Sequence, residues 1–170
     1  RQMHSALVSE IPFKSFLDAN LNLAAEDQRL NSAYDKAFIQ FVKQDDFSKT
    51  VKQLFENPSC FDSAVETLQN GLKYGAPLEK LATVNESMTI IQDIYLFEAG
   101  EGCAAEDFVP MFIFVMLRAK IDNLASLMGY IDNFLISIID QVKILDPKER
   151  YILTTFVSAT QFIINFTKSC

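Results

Sequence analysis

Ala104-Ala105-Glu106-Asp107-Phe108-Val109-Pro110-Met111-Phe112-Ile113-Phe114-Val115-Met116-Leu117-Arg118 decides the fold of this chain. From Phe108 to Leu117 ten consecutive residues are apolar, and Glu106 and Asp107 stand directly in front of them. As a helix such a run is about 15 Å long, about half the hydrocarbon thickness of a bilayer. It therefore predicts a helix enclosed by its own domain rather than a membrane span. A helix that is apolar all round must be surrounded by other elements. Acidic residues are ordinary in a first helical turn, where the dipole is positive. On position alone, the two carboxylates stay open between that role and a functional one.

Outward from this stretch, composition sets bounds. The 170 residues are 49% apolar and include 15 Phe, enough for one substantial core without staples. Five Gly and five Pro are too few for a turn-rich all-β fold. A net charge of −7 disfavours nucleic-acid binding, which draws its affinity from clustered Lys and Arg. It favours a partner that presents lysine or Mg²⁺. Cys60, Cys103 and Cys170 have no metal-type spacing and read as free thiols in a reducing cytosol. His4 is the single histidine, which argues against His-based zinc sites and Ser-His-Asp catalysis. No metal site and no cofactor are expected. No segment reads as a signal peptide or a transmembrane helix. The start on Arg1 reads as a piece of a longer protein.

The periodicity predicts an all-α domain of about seven or eight helices in layers. Residues 1–22 are weakly patterned around Met3, Leu7, Val8, Pro12, Phe13, Phe16 and Leu17. A helix over Ala24–Gln44 carries Leu30, Tyr34, Ala37, Phe38 and Phe41. Asp45-Asp46 reads as the N-cap of the next, marked by Phe47, Val51, Leu54 and Phe55 and stopped by Asn57-Pro58. A helix from about Ser59 to Tyr74 is capped by Gly75, and Pro77 opens another whose buried stripe is Leu78, Leu81, Val84, Met88, Ile91 and Tyr95. The central helix runs over about Ala105–Ala119. Asp122 reads as the cap of a helix carrying Leu124, Leu127, Met128, Ile131, Phe134, Leu135 and Ile138. Asp146-Pro147-Lys148-Glu149 is a capping-box start for the last helix, striped by Leu153, Phe156, Val157, Thr160, Ile163 and Ile164. A soft boundary near Gly75 and Pro77 divides an N-terminal helical bundle, 1–75, from a core, 76–170, within one cooperative unit.

Generic catalytic motifs are missing from the sequence: no Walker loop, dinucleotide fingerprint, Cys-x-x-Cys or His-Glu-x-x-His occurs. The order of a different set of residues is informative. Ala105-Glu106-Asp107-Phe108-Val109-Pro110-Met111-Phe112-Ile113-Phe114-Val115 resembles the signature of the vacuolar-protein-sorting-9 (VPS-9) domain family. Arg118-Ala119 stands where that family has Lys-Ala. Leu124-Ala125-Ser126, Tyr130-Ile131 and Phe134 resemble its Leu-x-Ser and Tyr-Ile-x-x-Phe. Tyr151-Ile152-Leu153-Thr154-Thr155, Ala159 and Phe162-Ile163 resemble its final helix. Upstream, Pro77-Leu78-Glu79-Lys80-Leu81 is similar to its Lys-Leu opening, so the resemblance covers about residues 76–166.

The resemblance implies a guanine nucleotide exchange factor for Rab-5-type small GTPases, cytoplasmic and peripheral to early endosomes, working without covalent chemistry. It touches the membrane only through flanking regions or through the GTPase. In that family an acidic finger at the start of the apolar helix reaches the phosphate-loop lysine of the GTPase. Four residues before Pro110 stands Glu106, so Glu106 takes the finger position where the family has Asp. Asp107 neighbours it, and Tyr151 matches a second functional residue. Phe108, Pro110, Arg118, Tyr130, Thr154 and Thr155 are the implied partner-binding positions. This chain departs from the family pattern at Lys120-Ile121-Asp122, where the family has Asn-Pro-Pro, and at Pro147-Lys148, where it has Gly-Glu. The spacing from Glu106 to Tyr151 is also longer. A competing reading keeps the fold as a Rab-binding scaffold without exchange activity. A further one is a helical adaptor unrelated to GTPases.

Overall fold

A computed structural model of the chain describes residues 21–131, Asn133 and 145–170. The expectations for residues 1–20 and for Phe134, Leu135 and Ile138 lie outside the described residues. Among the described residues seven α-helices follow one another: α1 (Leu21–Val42), α2 (Lys49–Glu56), α3 (Asp62–Gly71), α4 (Pro77–Ala99), α5 (Ala105–Ala119), α6 (Leu124–Ile131) and α7 (Pro147–Lys168). A 3-10 turn, Pro58–Phe61, joins α2 to α3. No strand occurs among the described residues, as the 3.6-residue periodicity predicts.

The apolar run is the centre of the molecule. α5 packs against α1, α2, α3, α4 and α7. Phe108 and every residue from Met111 to Leu117 are buried. The Phe114 ring is fully buried and stacks on Phe55 with centroids 4.2 Å apart and planes 7° apart. Phe38 and Phe61 flank Phe114 at 5.1 and 5.3 Å. Phe41, on α1, meets Phe47, Phe55, Phe162 and Phe166, so the aromatic set joins α1, α2, α5 and α7 with the 3-10 turn. Offset and edge-on ring pairs of this kind add about 0.5–1.5 kcal/mol each beyond the area they bury. Two members of the apolar run lie outside the core: Val109 is exposed and Pro110 half-buried. They sit three and four residues after Glu106, on its face of the helix.

Several ends differ from expectation, each for a physical reason. The α2 cap is Ser48, whose hydroxyl accepts from Val51 N at 3.3 Å, rather than Asp45-Asp46. The expected single helix from Ser59 to Tyr74 is interrupted at its start. The carbonyl of Pro58 accepts from Arg118 Nη1 at 2.7 Å, and Asp62 N bonds Ser59 O in 3-10 fashion instead. At the other end α3 stops at Gly71, before Gly75. Gly71 lies against α4: a Cβ there would meet the Thr83 side chain at 2.4 Å. Lys80, itself buried, donates to the carbonyls of Leu72 and Tyr74 at 2.8 and 3.2 Å, and so caps the end of α3. Gly75 does take the left-handed conformation expected of it, with φ +95°, in the loop that follows.

The N-terminus of α6 is capped across the fold. Asp27 on α1 accepts from Ala125 N at 2.8 Å, from Ser126 N at 3.1 Å and from the Ser126 hydroxyl. This remote carboxylate takes the place expected for Asp122. The capping box of α7 forms as predicted: Asp146 accepts from Glu149 N at 2.8 Å, and Glu149 accepts from Asp146 N at 3.2 Å.

Candidate functional site

The entrance to α5 holds the two acids in unlike surroundings. Ala104 is the N-cap and has no side chain with which to cap. Asp107 is half-buried and accepts from the Tyr95 hydroxyl of α4 at 2.6 Å. Tyr95 is only 6% exposed. Its hydroxyl is pushed up to about 12, first by that hydrogen bond and then by burial. The neighbouring Cys103 thiol is pushed up to about 11, by burial and by the Asp107 charge. Glu106, one residue earlier, is exposed. Successive helical residues point about 100° apart, so an Asp107 held on α4 turns Glu106 away from α4. Pro110 has no N–H, so the carbonyl of Glu106 loses the donor that a helix would otherwise supply. The outward surface of the first turns of α5 is thus Glu106, Val109 and Pro110.

α7 packs against α5 and contributes a second outward strip. Tyr151 is 54% exposed, Thr154 and Ser158 are exposed, and Phe162 is 39% exposed. Thr155 is half-buried, and its hydroxyl donates to the Tyr151 carbonyl at 2.8 Å. Ile152, Leu153 and Phe156, on the inner face, anchor the strip in the core.

The remaining positions implied by the resemblance are placed elsewhere. Phe108 and Tyr130 are both 3% exposed. Burial raises the Tyr130 hydroxyl above its ordinary value. Both side chains belong to the core rather than to the accessible surface. Arg118 lies at the other end of α5, about 18 Å along the helix from Glu106. Its guanidinium donates to Pro58 O and to Asp62 Oδ1, each at 2.7 Å, and clasps α5 to the start of α3. Among the described residues no group of His, Cys, Asp and Glu side chains is arranged to hold a metal ion. Among them, too, no helix is long and apolar enough to cross a membrane.

Periodicity placed Tyr95 in a buried stripe but did not pair it with Asp107, and it passed over Asp27. A signal was available for each. A buried tyrosine needs a partner for its hydroxyl, and Asp27 falls on the apolar face of α1 with Leu30 and Tyr34.

Comparison with known proteins bears on the same stretch. The profile of the family described as Vacuolar sorting protein 9 (VPS9) domain matches residues 61–168. Among curated proteins, alsin of Rattus norvegicus is 32% identical over 63% of this chain and 7% of its own length. The alsins of Mus musculus and Homo sapiens are each 30% identical over the same shares. The chain thus spans only 7% of the length of these relatives. The match begins in the 3-10 turn before α3, earlier than the motif-bearing stretch from residue 76, and takes in the α3–α4 pair that Lys80 ties together. With its central apolar helix, the acids at that helix's entrance and the tyrosine-bearing last helix all inside the matched stretch, this chain belongs to the VPS9 domain family.

Proposed function

We propose that the chain is a guanine nucleotide exchange domain for a small GTPase of the Rab-5 type, working at the cytoplasmic side of early endosomes, and that Glu106 enters the nucleotide site. The observation that carries this reading is the unequal fate of the two acids. Asp107 is held by Tyr95, whereas Glu106 is exposed beside Val109 and Pro110. Family membership supports a partner of the small-GTPase class.

The physics is competitive. GDP is held on such a GTPase chiefly through its phosphates, by the phosphate-loop lysine, backbone amides and Mg²⁺. A carboxylate brought to that lysine takes over part of its charge interaction and repels the diphosphate. Each 1.4 kcal/mol removed from GDP affinity speeds its release about tenfold when association is unchanged. No bond to the protein forms or breaks. Val109, Pro110, Tyr151 and Thr154 are the accessible partner contacts, an apolar centre with a polar rim. Phe108 and Tyr130 support them from the core.

The test is release of a fluorescent GDP from a panel of purified Rab GTPases. The chain accelerates release from at least one GTPase of the Rab-5 type. Glu106→Gln, which removes the charge and keeps the shape, lowers that acceleration by about a hundredfold, the usual scale for one electrostatic group at a reacting centre. Full activity of Glu106→Ala together with loss in Asp107→Ala would move the finger by one residue. The glutamate in place of the family aspartate favours one second reading, a Rab-binding scaffold. It would be recognised by binding without faster release across the whole panel.

A further inference from the structure

We infer that Tyr95 is the positioning residue of the finger, acting through Asp107; the inference rests on the exchange reading above. The entry to α5 has little else to fix it. α4 ends at Ala99, the connection contains Gly100 and Gly102, and neither glycine has a neighbour within 4 Å of where a Cβ would stand. The N-cap, Ala104, offers no side-chain acceptor to the first amides of α5. Cys103, before the N-cap, packs against the core. Within the first turn itself, among the described residues, two anchors set its rotation about the helix axis: the burial of Phe108 and the 2.6 Å bond from Tyr95 to Asp107. That bond comes from a rigid place. Tyr95 is buried near the end of a long helix whose Leu81, Val84, Met88 and Ile91 are all in the core.

The arrangement has two consequences for the acids. Asp107 is engaged by a hydroxyl that stays protonated, so its carboxylate is kept on the α4 side. Glu106, about 100° further round the helix, is kept on the outward side with Val109 and Pro110. Without the tether, the first turn can rock on Phe108, and the finger no longer meets the GTPase lysine in one fixed orientation. Misplacement of a reacting group by about 1 Å costs up to about a hundredfold in rate. A partly retained geometry costs less, so about tenfold is the expected scale.

The test uses the whole chain with a Rab GTPase on which it accelerates GDP release, and follows the maximal release rate, the GTPase concentration at half-saturation and the melting temperature. Tyr95→Phe and Asp107→Ala each lower the maximal rate about tenfold, while half-saturation and melting temperature stay close to the starting values. The double variant is no slower than either single one, because both remove the same bond. Asp107→Asn, whose amide oxygen still accepts from the Tyr95 hydroxyl, recovers part of what Asp107→Ala loses. Tyr95→Phe at full rate, or losses that multiply in the double variant, would overturn the inference. Glu106→Gln in the same series separates the two levels. If it is inactive while Tyr95→Phe is fully active, only the positioning role falls. If it is fully active, the finger reading falls, and the positioning role with it.

Discussion

Replacing Asp27 by alanine probes the fold at its least local joint. Asp27 Oδ1 accepts from the amides of Ala125 and Ser126, and Oδ2 from the Ser126 hydroxyl, across 98 to 99 residues of sequence. Ala125 is 1% and Ser126 0% exposed, so bulk solvent does not reach the two amides in the parent fold. Each buried amide left without an acceptor costs about 1–3 kcal/mol, and the hydroxyl can turn toward another acceptor at smaller cost. Against this, the variant no longer has to bury a carboxyl, whose titration burial pushes above the ordinary range. The balance is a loss of about 3 kcal/mol. In a domain of this size that lowers the melting temperature by about 6–12 °C. Asp27→Asn keeps an oxygen on the two amides and loses about 1 kcal/mol. The pH dependence follows from the same carboxyl. Its folded pKa lies above the unfolded value, so as pH rises from about 4 the unfolded chain releases the proton first and is favoured. This contribution to stability is full below the unfolded pKa and is lost as pH rises through the folded one. Asp27→Asn removes that slope. Urea unfolding of the three proteins between pH 4 and pH 7, with hydrogen exchange at Ala125 and Ser126, reads both effects. An Asp27→Ala protein within 1 kcal/mol of the parent, with its two amides still protected, would refute the cross-fold cap.

Three other substitutions test the packing. Gly71→Ala puts a Cβ 2.4 Å from the Thr83 side chain; Thr is stiff at χ1, so a loss of about 1–2 kcal/mol is expected, partly recovered by Thr83→Ala and read from urea midpoints. Phe114→Ala empties the fully buried site between Phe38, Phe55 and Phe61 and is expected to cost about 3–5 kcal/mol, seen as an early calorimetric transition. Lys120→Gly acts in the opposite direction. Lys120 closes α5 in the left-handed region at φ 49°, where a side chain costs about 1–2 kcal/mol. Its ion pair with Asp35 is well exposed and worth little, so thermal unfolding should show a gain of about 0.5–1 kcal/mol after the added entropy of the unfolded glycine.

The elements were legible because they are local. A 3.6-residue stripe, a capping box at Asp146 and Glu149, and ten apolar residues in a row each declare themselves within a turn or two of chain. What was not legible joins distant residues. Asp122 looked like the cap of α6 because it precedes it, yet the acceptor arrives on α1. In the sequence Lys80 carries only a family resemblance, whereas in the fold it closes α3 through two carbonyls. The resemblance implies Arg118 as a partner contact, yet its guanidinium is engaged by Pro58 and Asp62. One physical mark links Asp27, Lys80 and Tyr95: each puts a polar group on an otherwise apolar stripe. A buried polar group must have a partner somewhere in the fold, but periodicity cannot say on which element.

The same bonds bear on the one departure that matters most for the proposed exchange reaction, glutamate in place of aspartate at the finger. α5 cannot slide to absorb a longer side chain. Eight of its ten consecutive apolar residues are locked among five helices, Arg118 clamps its far end, and Tyr95 holds Asp107 at the near end. In the proposed complex the extra methylene, about 1.5 Å of added reach, would be taken up by the rotamers of Glu106 or by how the GTPase sits on Val109, Pro110 and α7. Glu106 is exposed and has room to fold back, so the charge can still be delivered, at the cost of ordering one more torsion. On the proposed exchange reading, the substitution would therefore act on how tightly the partner is seated and on which GTPase accepts that seat, rather than on whether a carboxylate arrives. On a loosely held helix the two effects would mix; on this one they separate, because the mount is fixed and only the tip varies.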